Sequence, residues 1–206
     1  MKTKFIVTAA LGLGLVISLS TGAQAAGEEP KTMTGASAKM LANTCAGCHG
    51  TNGASNGPAT PSIGGISKEY FIEVMEGFKT AETPSTIMTR IAKGYSSEEI
   101  KAMAGYFAAK PFVKAMQKFD AAQVKKGGKL HEKYCEKCHA QAGQASEDDS
   151  GILAGQWTPY LSATMADYVG GHREMTKKMK KKVNKLMEKE GDAGMTALFN
   201  FYASVK

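Results

Sequence analysis

Two copies of the pentapeptide Cys-x-x-Cys-His constrain this chain more than any other feature. They start ninety residues apart and use all four cysteines: Cys45, Cys48 and His49 in the first, Cys135, Cys138 and His139 in the second. Two thiols followed at once by a histidine are typical of covalent c-type haem attachment. The thiols add across the two porphyrin vinyl groups, and the histidine becomes the proximal iron ligand. The sequence therefore predicts two covalently bound haem c groups.

Other uses of paired cysteines fit these motifs poorly. A zinc site of four cysteines would have to join pairs that are separated by 86 residues. A structural disulfide within each pair is the second alternative. Neither alternative explains the histidine that follows both pairs.

The correspondence between the two halves extends beyond the motifs. Ile63, Gly65 and Tyr70 recur after ninety residues as Leu153, Gly155 and Tyr160. Each half closes on an amphipathic helical pattern, which in the first half begins with a capping box at residues 96–99. This internal repeat indicates a tandem duplication, with one domain in residues 26–110 and the other in residues 127–206.

A connector, residues 111–126, joins the two domains. Pro111 ends the preceding helix, because proline disfavours helix in the residue before it. The connector contains four large apolar side chains, Phe112, Val113, Met116 and Phe119. We expect them to pack at the domain interface. The alternative is a surface helix that belongs to one domain.

The first 25 residues are typical of a secretory signal peptide. Lys2 and Lys4 precede an apolar run over residues 5–19, and Ala23 and Ala25 form a small-x-small cleavage site. The alternative is a membrane anchor, but the run is shorter than the roughly 20 residues that a spanning helix needs. We therefore expect cleavage after Ala25, a periplasmic location and no integral membrane segment.

The net positive charge of the chain after residue 25 lies in its second half. Loss of Lys2 and Lys4 would lower the formal charge from +7 to +5. Residues 26–110 carry eight basic and eight acidic side chains, and residues 111–206 carry sixteen and eleven. Haem propionates would offset most of this excess, and no basic platform with interleaved aromatic residues is visible. Nucleic acid is therefore not an expected partner.

Each iron needs a second axial ligand, and methionine is the usual one in electron-transfer haems. The repeat selects Met88 in the first half and Met179, ninety-one residues later, in the second. Met175 lies one helical turn before Met179 and is an alternative, and His172 is a weaker one. The predicted iron ligands are thus His49 with Met88 and His139 with Met179.

Backbone carbonyls near Pro61 and Gly151, which are equivalent positions, should orient the outer ring nitrogens of the two proximal histidines. The sequence also predicts the environments of His131 and Trp157. His131 stands next to an apolar helix position and should face solvent. Trp157, the only tryptophan, should pack against porphyrin.

The chain resembles the dihaem cytochrome subunit of flavocytochrome c sulfide dehydrogenase. The stretches that carry the resemblance start at Cys45, Glu73, Ser85, Lys133, Ile152 and Glu190. The resemblance implies an all-α fold of two class I cytochrome c domains related by pseudo-two-fold symmetry. It also implies a partner flavoprotein that oxidises sulfide, carries the FAD and passes single electrons to this chain. The final acceptor could then be a small cytochrome.

Catalysis is not expected on this chain. No Gly-x-Gly-x-x-Gly turn for a dinucleotide occurs after residue 25, and no cysteine is left over for sulfide chemistry. We therefore predict an electron-transfer subunit without catalytic residues. A free-standing dihaem carrier of the c-four type that feeds a terminal oxidase is the first alternative. A haem enzyme such as a peroxidase is the second, and it would require an open iron position.

Six lysines crowd around Met179. They are Lys177, Lys178, Lys180, Lys181, Lys182 and Lys185, called here the basic face. One interpretation is a solvated helix face. The other is a surface that steers an acidic partner towards the second haem.

Overall fold

The computed structural model describes residues 35–145 and 150–205. These residues form helices and loops without a β-strand. The helices are α1 (Ala38–Asn43), α2 (Ala46–His49), α3 (Lys68–Thr80), α4 (Met88–Ile91), α5 (Ser97–Ala108), α6 (Ala121–Tyr134), α7 (Ala140–Gly143), α8 (Thr158–Val169) and α9 (Lys177–Ser204). The predicted signal peptide, residues 1–25, lies outside the described residues.

The first half packs α1 and α3 against α5. Helix α5 begins with the predicted capping box: the Ser96 hydroxyl accepts from the Glu99 amide, and the Glu99 carboxylate accepts from the Ser96 amide. Its apolar face, with Ile100, Met103 and Phe107, is completely buried. Phe107 stacks on Phe71 of α3 with 5.5 Å between ring centroids. The periodicity of the sequence thus identified the core face of α5 correctly.

The second half packs α6 and α8 against α9. Helices α6 and α9 cross closely at Gly127, where an added Cβ would lie only 2.1 Å from the Ala197 carbonyl oxygen. This approach buries Leu130 of α6 against Leu198 and Tyr202 of α9. A glycine is therefore required at the crossing.

The loops after the two haem motifs form equivalent backbone hydrogen bonds. In the first, the Gly53 carbonyl accepts from Ile63, and the Gly65 amide donates to Phe107 of α5 at 2.9 Å. In the second, the Gly143 carbonyl accepts from Leu153, and the Gly155 amide donates to Tyr202 of α9 at 2.8 Å. These equivalent bonds show that the duplication seen in the sequence is also present in the tertiary structure.

The halves differ in the segment between the predicted axial methionine and the last core helix. The first half has the short α4, a 3-10 turn over Ala92–Gly94 and then α5. The second has one long helix, α9, interrupted at Gly191. Ile100 lies twelve positions after Met88, and Met195 lies sixteen positions after Met179. The extra four residues correspond to about one helical turn.

A buried polar contact joins the two halves. The Gln156 carboxamide bonds both backbone groups of Ser62, each at 2.9 Å. Beside it, the Trp157 ring nitrogen donates to the Ser55 carbonyl at 3.2 Å. The ring packs on the loop of the first half, where a Cβ on Gly57 would approach it to 2.3 Å. In this structure Trp157 therefore packs at the domain interface.

A cluster of tyrosines around Arg173 forms a second part of this interface. Tyr70 of α3 lies beside Tyr160 and Tyr168 of α8, and the Arg173 guanidinium stands 4.9 Å from the centre of the Tyr168 ring. Burial raises the pKa of Tyr70 far above its ordinary value, and the neighbouring Tyr160 adds to the shift while Arg173 opposes it. Tyr70 therefore stays protonated and neutral.

The connector corrects one expectation. Residues 111–120 form no helix, and residues 121–126 are the first turns of α6. Phe112 packs on the first core, but Val113, Met116 and Phe119 are exposed, Met116 by 81%. The reason is that polar side chains of the connector fill the places against the second domain. Lys114 and Gln117 occupy the inward positions, and Gln117 bonds Gln156 and Thr158.

No helix in residues 35–145 or 150–205 combines the length and apolar character needed to cross a bilayer.

Candidate haem sites

The first motif occupies a single turn of helix. The His49 amide donates to the Cys45 carbonyl at 2.9 Å, and α2 contains Cys48 and His49. Residues three and four apart on a helix share a face, so this turn presents both thiols and the imidazole together. His49 is buried and Cys48 is exposed. The thiols of this turn could bond the edge of a flat ligand while the imidazole bonds its centre.

The proximal ring of the first site is oriented as predicted. His49 Nδ1 lies 2.9 Å from the Pro61 carbonyl oxygen. A carbonyl can only accept, so Nδ1 is the protonated nitrogen and Nε2 carries the lone pair. Burial lowers the pKa of His49, and the Pro61 carbonyl opposes part of this shift. The imidazole is therefore neutral and in the tautomer that a metal ligand requires.

The second motif forms a comparable turn with a less constrained histidine. The His139 amide donates to the Cys135 carbonyl at 3.0 Å. His139 Nδ1 is buried, and no acceptor within the described residues meets it with regular hydrogen-bond geometry. Burial lowers the pKa of His139, and the nearby Gly151 backbone opposes this only in part. The Gly151 backbone predicted as the acceptor thus acts on His139, with a geometry looser than that of Pro61 and His49.

The four cysteines are free thiols in the structure. Burial raises the pKa values of Cys45 and Cys135, which keeps both thiols protonated. Thr44 lowers the pKa of Cys45 slightly, and Tyr202 does the same for Cys135.

The two predicted axial methionines both lie in the first turn of a helix. Met88 is the first residue of α4, where the Ser85 hydroxyl accepts from the Thr89 amide at 2.9 Å. In the second half the Thr176 hydroxyl accepts from the Met179 amide at 3.2 Å. Ser85 and Thr176 are themselves ninety-one residues apart, the same offset as Met88 and Met179. This equivalence favours Met179 as the counterpart of Met88.

The alternatives to Met179 lie nearby. Met175 and Met179 are both half-buried, so burial does not separate them. His172 is exposed and lines a cavity of about 410 Å³ together with Ser85 and Asp167. The choice between Met175 and Met179 remains a prediction.

His131 corrects another expectation. It is 1% exposed, with Nδ1 3.0 Å from the Tyr202 hydroxyl and Nε2 bonded to the Glu136 carboxylate. Glu136 also accepts from the Gln141 amide at 3.0 Å and from the Ala142 amide. The side chain is inside because α6 and α9 cross closely there and because both ring nitrogens find partners. The repeat could have indicated that His131 is buried, because the residue ninety positions earlier is Leu41, which is buried in the first core.

The residues present fit a c-type haem in each half. Each half presents two thiols and an imidazole on one turn of the chain, and its predicted axial methionine would complete the donor set of an electron-transfer haem. Large apolar side chains are exposed beside the first site, namely Ile87 and Ile91 on either side of Met88, and Met40 in α1. Such surface normally requires a cover, and an apolar porphyrin face would provide one.

Comparison with known proteins agrees with this chemistry. The family model described as cytochrome c matches residues 35–109. The chain is 43% identical over 88 residues to the cytochrome subunit of sulfide dehydrogenase from Chlorobaculum tepidum, an alignment that spans 43% of this chain and 79% of that protein. The chain belongs to the cytochrome c family.

Two further relatives cover more of this cytochrome. A thiosulfate dehydrogenase electron acceptor from Stutzerimonas stutzeri is 30% identical over 166 residues, which is 76% of each chain. The crystal structure of cytochrome c4 from Pseudomonas stutzeri superposes with a TM-score of 0.70 at 22% identity, over 82% of this chain and 97% of that one. The predicted fold class, two tandem class I cytochrome c domains, is confirmed. The expectation of an electron-transfer protein rather than an enzyme is confirmed by the same relatives.

Proposed function

We propose that this cytochrome is the dihaem electron-transfer subunit of a periplasmic sulfide dehydrogenase, with a flavoprotein partner that carries FAD. Its relationship to the cytochrome subunit of such an enzyme is the observation that carries the proposal. The duplicated haem motif supports it, because a two-electron donor is matched by two one-electron centres. The signal-peptide pattern of residues 1–25 supports export.

The side chains of this protein would hold each haem and set its properties. Cys45 and Cys48 would bind the first haem covalently, and Cys135 and Cys138 the second. His49 and His139 would ligate the irons on one side, and Met88 and Met179 on the other. When bound, each haem supplies a centre that gains and loses one electron. The protein contributes apolar cover and two thioethers that favour the ferrous state.

Co-purification from the native source tests the partner. Affinity capture of the tagged cytochrome should recover a second chain with flavin fluorescence, and addition of sulfide to that complex should reduce the haems. Recovery of the cytochrome alone, with haems that a terminal oxidase oxidises, would instead support a free-standing carrier. The likeness to cytochrome c4 is the observation that favours this second candidate.

A mass measurement tests the cofactor assignment. The purified mature protein should exceed the mass of residues 26–206 by two haem groups. Replacing Cys135 and Cys138 by alanine should remove one of them, and replacing Cys45 and Cys48 should remove the other. A mature chain without these additions would refute haem binding directly.

We also propose that the basic face steers an acidic electron acceptor towards the second haem. All six of its lysines are exposed, and none forms an ion pair with a carboxylate of the described residues. Four more lysines, Lys125, Lys126, Lys129 and Lys133, line a neighbouring groove of about 510 Å³ on α6. The positive potential of this half would therefore attract anions over a distance of about one Debye length.

Charge reversal with a matched control tests this steering. Lys178, Lys181 and Lys185 replaced by glutamate should slow the oxidation of the reduced protein by hexacyanoferrate(III), a small trivalent anion, at low salt. The difference should shrink at high salt. The control reverses three exposed lysines of the first domain, Lys39, Lys68 and Lys101, and changes the net charge equally. Equal slowing by both variants would refute a localised effect.

A further inference from the structure

The Gln156 side chain forms hydrogen bonds with both backbone groups of Ser62, a residue of the other domain. The Ser62 amide donates to Gln156 Oε1, and Gln156 Nε2 donates to the Ser62 carbonyl, each at 2.9 Å. Ser62 and Gln156 are both buried, at 2% and 4% exposure. The Gln156 carboxamide is itself held in place, because its Oε1 also accepts from the Trp157 amide at 3.1 Å. This is a rigid contact in a site from which water is excluded.

The Ser62 amide and the Pro61 carbonyl belong to the same peptide group. That carbonyl accepts from His49 Nδ1 at 2.9 Å. A peptide group is planar, so a rotation that turns the Pro61 oxygen away from His49 also turns the Ser62 N–H away from Gln156. Hydrogen bonds at the two ends of one peptide group also polarise each other and become stronger. Gln156 is thus linked to the proximal histidine of the first domain through one rigid unit.

The second half of the chain provides an internal comparison. The equivalent peptide group there joins Gly151 and Ile152, and the residue equivalent to Gln156 is Ile66, ninety positions earlier. Isoleucine has no group that could bond a backbone amide. His139 Nδ1 in this half has no partner of regular hydrogen-bond geometry among the described residues, although the Gly151 backbone raises the pKa of His139. The proximal bond therefore has regular geometry in the half that has the carboxamide and a looser geometry in the half that has an apolar side chain.

We propose that Gln156 of the second domain is a positioning residue for His49 of the first. It aims the Pro61 carbonyl at His49 Nδ1 and so fixes the orientation and basicity of the ligand at the first iron. The proposal rests on haem binding at His49, as set out above. A stronger bond at Nδ1 makes the imidazole a better electron donor, which favours ferric iron and lowers the reduction potential. One domain thereby sets the redox properties of the other.

Substitution of Gln156 in the haem-loaded full chain tests this role. In Gln156→Leu, the His49 Nδ1 proton should exchange with solvent about tenfold faster or more, because its hydrogen bond is weakened. The potential of the first haem should rise. The His139 Nδ1 proton and the second haem serve as internal references and should change little. Nuclear magnetic resonance of histidine-labelled protein, with the haem methyl signals followed through a redox titration, measures both sites separately.

A matched control separates positioning from general damage to the interface. Gln117→Leu also removes two hydrogen bonds at this interface, to Gln156 and Thr158, but it does not touch Ser62. It should leave the His49 proton and the potential of the first haem unchanged. If Gln156→Leu does not alter the His49 proton, or if both variants alter the two haems alike, the proposal is wrong.

A second variant keeps the test informative if Gln156→Leu does not fold. Gln156→Glu retains an acceptor for the Ser62 amide and loses the donor to the Ser62 carbonyl. It should retain slow exchange of the His49 Nδ1 proton, and fast exchange in this variant would contradict the proposal. A protein whose mass lacks the haems would refute the proposed function itself, an outcome distinct from unchanged exchange in a protein that carries both.

Discussion

His131 Nδ1 lies 3.0 Å from the hydroxyl oxygen of Tyr202 in the core of the second domain. The residues at the equivalent core positions of the first domain are Leu41 and Phe107, which are both buried. The duplication has therefore produced one copy with an apolar pair and one with a polar pair at the same place. The polar pair lies next to the second haem motif, because Tyr202 also contacts Cys135.

The pair should behave as an energetic unit. Tyr202→Phe should destabilise the folded protein by about 1–3 kcal/mol, because a buried ring nitrogen of His131 loses its partner. The double variant with His131→Leu, which restores the apolar pair of the first domain, should cost less than the sum of the single changes by about 0.5–3 kcal/mol. Urea unfolding of the haem-loaded variants measures all three values, and strict additivity would contradict coupling.

The axial ligand of the second iron can be identified by substitution. Met179→Leu should open a coordination position, so that carbon monoxide binds rapidly to one haem of the reduced protein. Met88→Leu should do the same at the first haem. Met175→Leu is the matched control and should leave both haems closed. Rapid binding in Met175→Leu, with none in Met179→Leu, would reverse the assignment.

Alkaline pH should weaken the domain interface through Tyr70. Its pKa is raised by burial, so the folded state keeps a proton that the unfolded chain releases above its ordinary pKa of about 10. The stabilisation is therefore complete below pH 10 and is lost as the pH rises beyond it, by about 1.4 kcal/mol per pH unit. Tyr70→Phe should show a smaller loss of unfolding free energy between pH 9 and pH 11. An identical pH dependence in this variant would remove Tyr70 as the cause.

Two glycines should respond to alanine in opposite directions. Gly57 has φ +62° and faces the Trp157 ring, so Gly57→Ala should destabilise the protein by more than about 1 kcal/mol. Gly105 lies in α5 with no atom within 4 Å of an added Cβ, so Gly105→Ala should stabilise it by about 0.5–1 kcal/mol. Thermal unfolding of the two variants checks the sign of each effect. Stabilisation by Gly57→Ala would mean that Trp157 does not occupy the position described.

Local patterns were sufficient for much of this fold. The capping box at Ser96 and the buried face of α5 follow from helical spacing, and both were predicted. The Pro61 carbonyl was also predicted as the partner of His49, because the repeat aligns the two loops. Such features depend on residues close in sequence or on equivalent places in the two halves.

The errors concern residues whose partners lie far away along the chain. His131 was expected to face solvent, yet its environment is set by Tyr202, 71 residues later. Met116 was expected to be covered, but it is exposed, and its neighbour Gln117 is the residue that bonds the second domain. Composition and periodicity carry no information about which distant element will approach.

The amino-acid sequence by itself determined the chemistry of this protein: two sets of thiols and imidazole, repeated at a fixed interval, with a predicted axial methionine for each. It could do so because covalent attachment requires particular residues at particular short spacings. Only the tertiary structure decided how the two sites differ. The bond between Gln156 and Ser62 spans 94 positions, and a contact of that kind exists only once the two domains are packed against each other.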